Sequence, residues 1–224
     1  MADFRFIETY PALEGIDGLV HGFITRHPDI DVKADRETAL ERLEEHHVSQ
    51  LRELGIDRQH LATGEQIHGN SVVAIDPGGL AESTRFPATD GLSTATAGQY
   101  LGIFVADCGA VFIADPVKRA CAIVHSGKKG TEQKIAVEAI RVMQEKYDSQ
   151  VGDIVVQLAP CIRPPVYEVD FAAQILVDCI EAGVPESQVH DCGVGTSSDP
   201  ERYYSYRVEL GQTGRLFAVM GWES

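Results

Sequence analysis

The middle of the chain is a series of apolar runs separated by short polar breaks: residues 100–106, 110–114 and 119–125 are nearly continuous in Val, Ile, Leu, Phe and Ala. Runs this short and β-rich predict strands covered on both faces, because a strand with one wet face would alternate apolar and polar positions. Further strands are expected at residues 19–25, at 71–75 with Pro77-Gly78-Gly79 closing it, and at 153–158. Two closing strands are expected at 203–208 and 215–220. Helical spacing replaces alternation in three places. Leu40, Leu43, Leu51 and Leu54 share a face of residues 37–54, with Gly55 as the stop. Ile135, Ala139, Ile140 and Met143 do the same within 131–147, with Thr131 as candidate N-cap. Residues 170–182 form the third, ended by Gly183. Strands interspersed with a few helices predict a layered α/β (α+β) sandwich of mixed sheet and helices. No Pro/Gly/Ser-rich linker divides residues 1–224, which read as one domain.

Composition changes this picture little. With 44% hydrophobic and 24% charged residues the chain is an ordinary globular sequence, which excludes disorder and collagen-like repeats. At 224 residues, roughly 70% of the unfolded surface can be buried, so no disulfide or metal is needed to make up for small size. Charge is more informative. The 34 acidic and 19 basic residues give −15, which argues against nucleic acid or an anionic membrane as the main partner. A small anion in a local basic pocket remains compatible. Met1 to Arg5 contain no apolar signal core, and the most apolar stretch, 101–115, is broken by Asp107 and Gly109 and too short to span a bilayer. Five cysteines, an odd number without a CxxC pair, read as reduced thiols of a cytoplasmic protein and exclude a zinc ribbon.

Three residues stand in settings that suit chemistry. His68 lies in Gln66-Ile67-His68-Gly69, Cys108 between two expected strands, and His125 at the end of an apolar strand before a glycine-rich turn. Were they to converge, two imidazoles and a thiolate would make a zinc site with one position free, as catalytic zinc requires. Two other readings stay open: a buried apolar cysteine with hydrogen-bonded histidines, or a metal-free pair with Cys108 as nucleophile and His125 as base. The turn Ser126-Gly127-Lys128-Lys129-Gly130 ahead of a helix suits an anion, although it lacks the Ser or Thr and the leading glycine of a P-loop. Thr89-Asp90-Gly91 reads as a turn first and a site second. A multicopper centre would use His-x-His pairs, and none of the eight histidines is so spaced.

In order, His21-Gly22-Phe23, Gln66-Ile67-His68-Gly69, Thr89-Asp90-Gly91, Ala106-Asp107-Cys108, His125-Ser126-Gly127, Pro160-Cys161-Ile162, Ser205-Tyr206-Arg207 and Thr213-Gly214-Arg215 resemble the words of the YfiH-like family. This family is also called the laccase-domain or polyphenol oxidase family. The resemblance implies a YfiH-like fold and a metal site of His68, Cys108 and His125, holding zinc with copper as the alternative ion. It implies phosphorolysis of purine nucleosides (adenosine, inosine, methylthioadenosine), with adenosine deamination alongside. The reactants are then a purine nucleoside and phosphate. Cys108, His125 and Arg26 are the expected catalytic residues, and Lys128, Lys129, Arg207 and Arg215 the expected substrate or phosphate contacts.

The sequence departs from the family's usual words at several points. Ser126 replaces alanine, Lys128-Lys129 replace Trp-Arg, Ala110 a proline, Ala159 a glycine and Val208 an arginine, and the stretch from 169 to 183 is compressed. These changes leave two alternatives beside the phosphorylase: a hydrolase editing serine-containing peptidoglycan precursors, and a metal-binding protein without turnover.

Overall fold

The computed structural model describes residues 6–75, 78, 80–82 and 84–224. In chain order its strands are β1 (Ile7–Glu8), β2 (Leu19–Ile24), β3 (Leu61–Gly64), β4 (Val72–Ala74), β5 (Thr84–Phe86), β6 (Gly91–Thr94), β7 (Tyr100–Val105), β8 (Gly109–Asp115), β9 (Ala120–Ser126), β10 (Val155–Leu158), β11 (Val189–Asp191) and β12 (Leu216–Trp222). The helices are α1 (Pro11–Glu14), α2 (Arg36–Glu53), α3 (Lys128–Glu132), α4 (Ile135–Tyr147) and α5 (Phe171–Glu181). Two six-stranded sheets result, in the orders β1-β2-β12-β7-β3-β5 and β11-β10-β8-β9-β6-β4. Both are mixed: β3 is parallel to β5 and β7, β4 to β6, and β10 to β11, while the remaining pairs are antiparallel.

The period-2 geometry of strands explains the layers. In β8, Ala110, Phe112 and Ala114 join the cluster between the sheets, while Val111 and Ile113 join the one beneath α4 and α5. In β12, Leu216, Ala218, Met220 and Trp222 face inward, while Phe217 and Val219 pack with Leu51 of α2. The layered sandwich expected from doubly buried strands is therefore present, with helices outside both sheets. Each fully buried Leu or Ile contributes about 2 kcal/mol. Local signals set the helix starts. The Asp35 carboxylate accepts the N–H groups of Glu37 and Thr38 at 3.0 and 3.1 Å to cap α2, and Asp170 accepts that of Ala173 at 3.0 Å to cap α5. Gly55 and Gly183 end their helices at positive φ, as expected. Pro77 and Gly79 of the expected turn lie outside the described residues.

Two expectations change. The helix expected to start at Thr131 starts instead at Lys128, and Lys134 in the left-handed region (φ 56°) separates α3 from α4. Thr131 is thus inside α3, where its hydroxyl donates to the Gly127 carbonyl at 2.9 Å and meets the Ser126 hydroxyl at 2.9 Å, so it caps nothing. Residues 203–208 are not a strand. Their aromatic alternation has other uses: Tyr203 donates to Glu8 at 2.7 Å, and Tyr204 lies under the Arg26 guanidinium. Residues 206–211 form a turn, because Glu209 folds the segment back by accepting the N–H of Ser205 at 3.1 Å and the hydroxyl of Thr213.

Candidate active site

Three strand ends meet at one end of the second sheet. Gly109 at the start of β8 pairs with Ser126 at the end of β9, and Gly91 at the start of β6 pairs with Val124. This register brings Cys108, His125 and Asp90 together. Cys108 occupies the passage of the chain from β7 in one sheet to β8 in the other. The passage is turned by Asp107, whose φ of 84° is rare for a residue with a side chain. Its buried carboxylate holds that turn by accepting the Thr196 hydroxyl at 2.6 Å and the Arg207 N–H at 2.7 Å.

His68 arrives from a loop, and Asp90 brings it in. Asp90 is fully buried, and its carboxylate accepts three consecutive backbone N–H groups: Ile67 at 3.1 Å, His68 at 2.9 Å and Gly69 at 2.8 Å. Gln66 and His68 accordingly adopt φ of 61° and 65°. Gln66 is locked by its side-chain amide, which donates to the Phe104 carbonyl at 2.6 Å and accepts the Phe104 N–H at 3.0 Å. The same Asp90 carboxylate faces Nδ1 of His125 at 2.8 Å, which places the proton on Nδ1 and leaves Nε2 as the ligand atom.

One donor atom from each of His68, Cys108 and His125 lies within 4.8 Å of the other two. Without an ion, the group stores charge. Burial pushes the Cys108 thiol up, but the His125 charge and hydrogen bonds from His125 and His68 outweigh it and bring the thiol below its ordinary value. Burial pulls His125 down, yet the Cys108 charge and the Asp90 hydrogen bond raise it above the usual imidazole range. The donors fit a borderline-soft divalent ion. Gly127 makes room for the sulfur, since a Cβ there would lie 2.5 Å from Cys108 Sγ.

The group forms part of the wall of a cavity of about 620 Å³, within the range that takes a small ligand. Of the expected substrate or phosphate contacts, Lys128, Arg207 and Arg215 line it, and so do the aromatic side chains of Phe104, Tyr167, Phe171 and Tyr206. Lys129 is exposed and outside the lining. Arg26 is outside it too: its Nη1 pairs with Glu209 at 3.0 Å, and its guanidinium lies 4.8 Å above the Tyr204 ring. Two residues outside the expected catalytic, ligand and substrate set have places in it. Asp90 reads as a turn first and a site second, and Arg36, which lines the cavity from the first turn of α2, carries no sequence signal at all.

A family profile described as multi-copper polyphenol oxidoreductase laccase matches residues 30–178 and 169–223. The chain belongs to this family. It is 28% identical over 199 residues to the purine nucleoside phosphorylase YlmD of Bacillus subtilis, covering 74% of this chain and 72% of that protein. It is 31% identical over 196 residues to a purine nucleoside phosphorylase of Deinococcus radiodurans, covering 75% and 72%. Its fold is that of two crystal structures. YlmD from Geobacillus stearothermophilus gives a TM-score of 0.83 at 23% identity over 100% of this chain and 98% of that one. YfiH from Bacillus licheniformis gives 0.81 at 21% identity over 94% and 95%. The family expected from the motif words is thus the one found. Although its description speaks of several coppers, the described residues contain one group of three candidate ligands. No helix among them is long and apolar enough to cross a membrane.

Proposed function

We propose that the protein is a zinc-dependent purine nucleoside phosphorylase. The observation that carries this reading is the His68–Cys108–His125 group in the wall of a cavity that also presents guanidinium groups and aromatic rings. Relatives bearing the name purine nucleoside phosphorylase support it. Zinc is favoured over copper by the donor set. A His₂Cys copper centre adds a weak axial ligand, Met, Gln or a backbone oxygen, whereas Met143 and Met220 are both buried in the cores away from the cavity and the Gln66 amide is held by Phe104.

In phosphorolysis a phosphate oxygen forms a bond to the anomeric carbon of ribose. The bond from that carbon to the purine nitrogen breaks, its electron pair leaves with the base, and the base takes up a proton. The chain's residues would serve each part of this. Cationic side chains hold the phosphate beside the sugar, which turns a bimolecular encounter into an oriented one. Phe104 and Tyr206 offer flat faces to the purine or ribose. Asp90 keeps the His125 ring in a single tautomer. His68, Cys108 and His125 would hold the zinc ion, which supplies Lewis acidity toward a substrate oxygen when bound.

The test is a substrate panel on protein of measured metal content. Release of hypoxanthine from inosine, or of adenine from adenosine or methylthioadenosine, is expected only with phosphate present. Phosphate-independent conversion of adenosine to inosine would reveal the deaminase branch. Full metal occupancy without release of base would refute the reading.

A further inference from the structure

Arg215 is the most unusual cation in the cavity. It is only 9% exposed, yet no carboxylate among the described residues lies within ion-pair distance. Its Nη1 donates to the carbonyls of Thr213 and Gly214 at 2.9 and 2.8 Å, while Nε and Nη2 have no hydrogen-bond partner among the described residues. The Arg207 guanidinium differs, since it is exposed, pairs with Glu168 at 3.5 Å and lies over the Tyr167 ring. Backbone contacts fix Arg215 in place: its carbonyl meets Nε2 of the buried His47 at 3.2 Å.

Arg36 lines the same cavity. Its one carboxylate partner, Glu37 at 3.0 Å, is shared with Arg85 at 3.4 Å. The two cations are near enough to oppose each other: burial first, and the Arg36 charge second, hold Arg215 below its usual pKa. Burying a guanidinium with no carboxylate in ion-pair contact is costly; the charges of Tyr206, Cys108 and Asp107 act in its favour but do not outweigh burial and Arg36. A ligand that brings two negative charges removes both penalties.

We propose that Arg215 and Arg36 form a subsite for a phosphate dianion, with Arg215 presenting its two free N–H positions as a fork and Arg36 completing the charge. This deepens the phosphorylase reading, and rests on it in taking the dianion to be inorganic phosphate and not the phosphoryl group of a nucleotide. It also assigns the anion to these arginines and not to the Lys128-Lys129 turn.

The experiment titrates the protein as purified with inorganic phosphate, and separately with a purine nucleoside 5′-monophosphate, by calorimetry without turnover. Arg36→Ala changes a half-buried side chain, and Arg215→Lys keeps the charge but loses the fork. Both are checked by thermal melting. Each substitution is expected to weaken phosphate binding about tenfold or more, the loss of one charge-assisted contact. In turnover each should raise the KM for phosphate by a similar factor and leave that for nucleoside within about twofold. Parent protein that binds no phosphate overturns the subsite. So does weakening confined to Lys128→Ala, with both arginine variants at parent affinity. Weakening of the monophosphate alone overturns the choice of inorganic phosphate. Because binding is read without a nucleoside, phosphate held by these arginines in a protein that releases no base would refute the phosphorylase reading and keep the subsite.

Discussion

Asp90→Asn separates a carboxylate that organises the site from one that merely fills space. The two oxygens of Asp90 receive four donors: His68 N–H and His125 Nδ1 on one, Ile67 and Gly69 N–H on the other. An asparagine has a single acceptor oxygen and puts an N–H₂ group in the other place. In either orientation, two donors lose their acceptor. With the amide nitrogen toward the loop, Ile67 and Gly69 are orphaned. With it toward His125, the imidazole must accept at Nδ1 and carry its proton on Nε2, which blocks the ligand atom. Each orphaned donor costs about 1–2 kcal/mol, the lower part of the usual range because the loop is only partly buried. A loss of roughly 3 kcal/mol corresponds to about 6–12 °C in Tm for a chain of this size. Metal affinity should fall by a further 10- to 100-fold, as for other substitutions of the partner behind a ligating histidine. Melting curves of metal-free protein and chelator competition on the loaded protein read the two effects separately. An Asp90→Asn protein with parent Tm and parent metal affinity would refute the role assigned to this carboxylate.

Cys108→Ala should abolish stoichiometric metal and turnover together, and metal content measured at parent level would show the ligand set to be wrong. Arg26→Ala should leave metal content unchanged but raise the KM for nucleoside severalfold, because Arg26 holds Glu209, and Glu209 ties the 206–211 turn that carries Tyr206 into the cavity; an unaltered KM would sever that link. Acid should destabilise the protein below about pH 6.5. Burial holds His21 at about 4 despite Glu14, and burial with the His46 charge holds His47 at about 3. The unfolded chain therefore binds protons first, and stability complete above the unfolded pKa is lost as pH falls, by about 2 kcal/mol for each histidine at pH 5. Urea midpoints at pH 7.5 and 5 check this, and His47→Gln should remove about 2 kcal/mol of the difference.

What could be read from the sequence follows from what stays local. Strands β7, β8, β9 and β12 are legible because burial on both faces writes itself as continuous apolar residues. The change of sheet between β7 and β8 is not, since it depends on β12 inserting between β2 and β7 from the far end of the chain. Short strands such as β6, Gly91-Leu92-Ser93-Thr94, are too polar to announce themselves, yet all four residues are buried by pairing with β9 and β4. At the site, Cys108 and His125 are recognisable as strand-end residues, while the approach of His68 depends on Asp90. That aspartate reads as a turn first and a site second because Thr-Asp-Gly has a turn's composition, whereas its acceptors serve another loop and His125. Arg36 in the polar first turn of α2 looks like any solvated charge, and only the cavity it lines with Arg215 gives it a place in the site.

The departures from the family's usual words fall around the candidate metal group and not within it, and the structure gives this a physical reason. Gly127 admits no side chain because Cys108 Sγ occupies the place of its Cβ, and the buried Ser126 hydroxyl is satisfied by Thr131 inside α3. The turn is thus pinned from within, by sulfur and by hydroxyl, independently of what projects from positions 128 and 129. Lysine at 128 brings a flexible cation to the cavity lining where the family has an indole, and lysine at 129 points its charge elsewhere. On the phosphorylase reading, flat contact with a substrate would then come from the lining rings of Phe104, Tyr167, Phe171 and Tyr206, the last more than half exposed on a turn anchored through Glu209 to Arg26. On the phosphorylase reading, substrate selection would rest less on the α3 turn than on the 206–211 turn, while the three residues of the ligand group are kept.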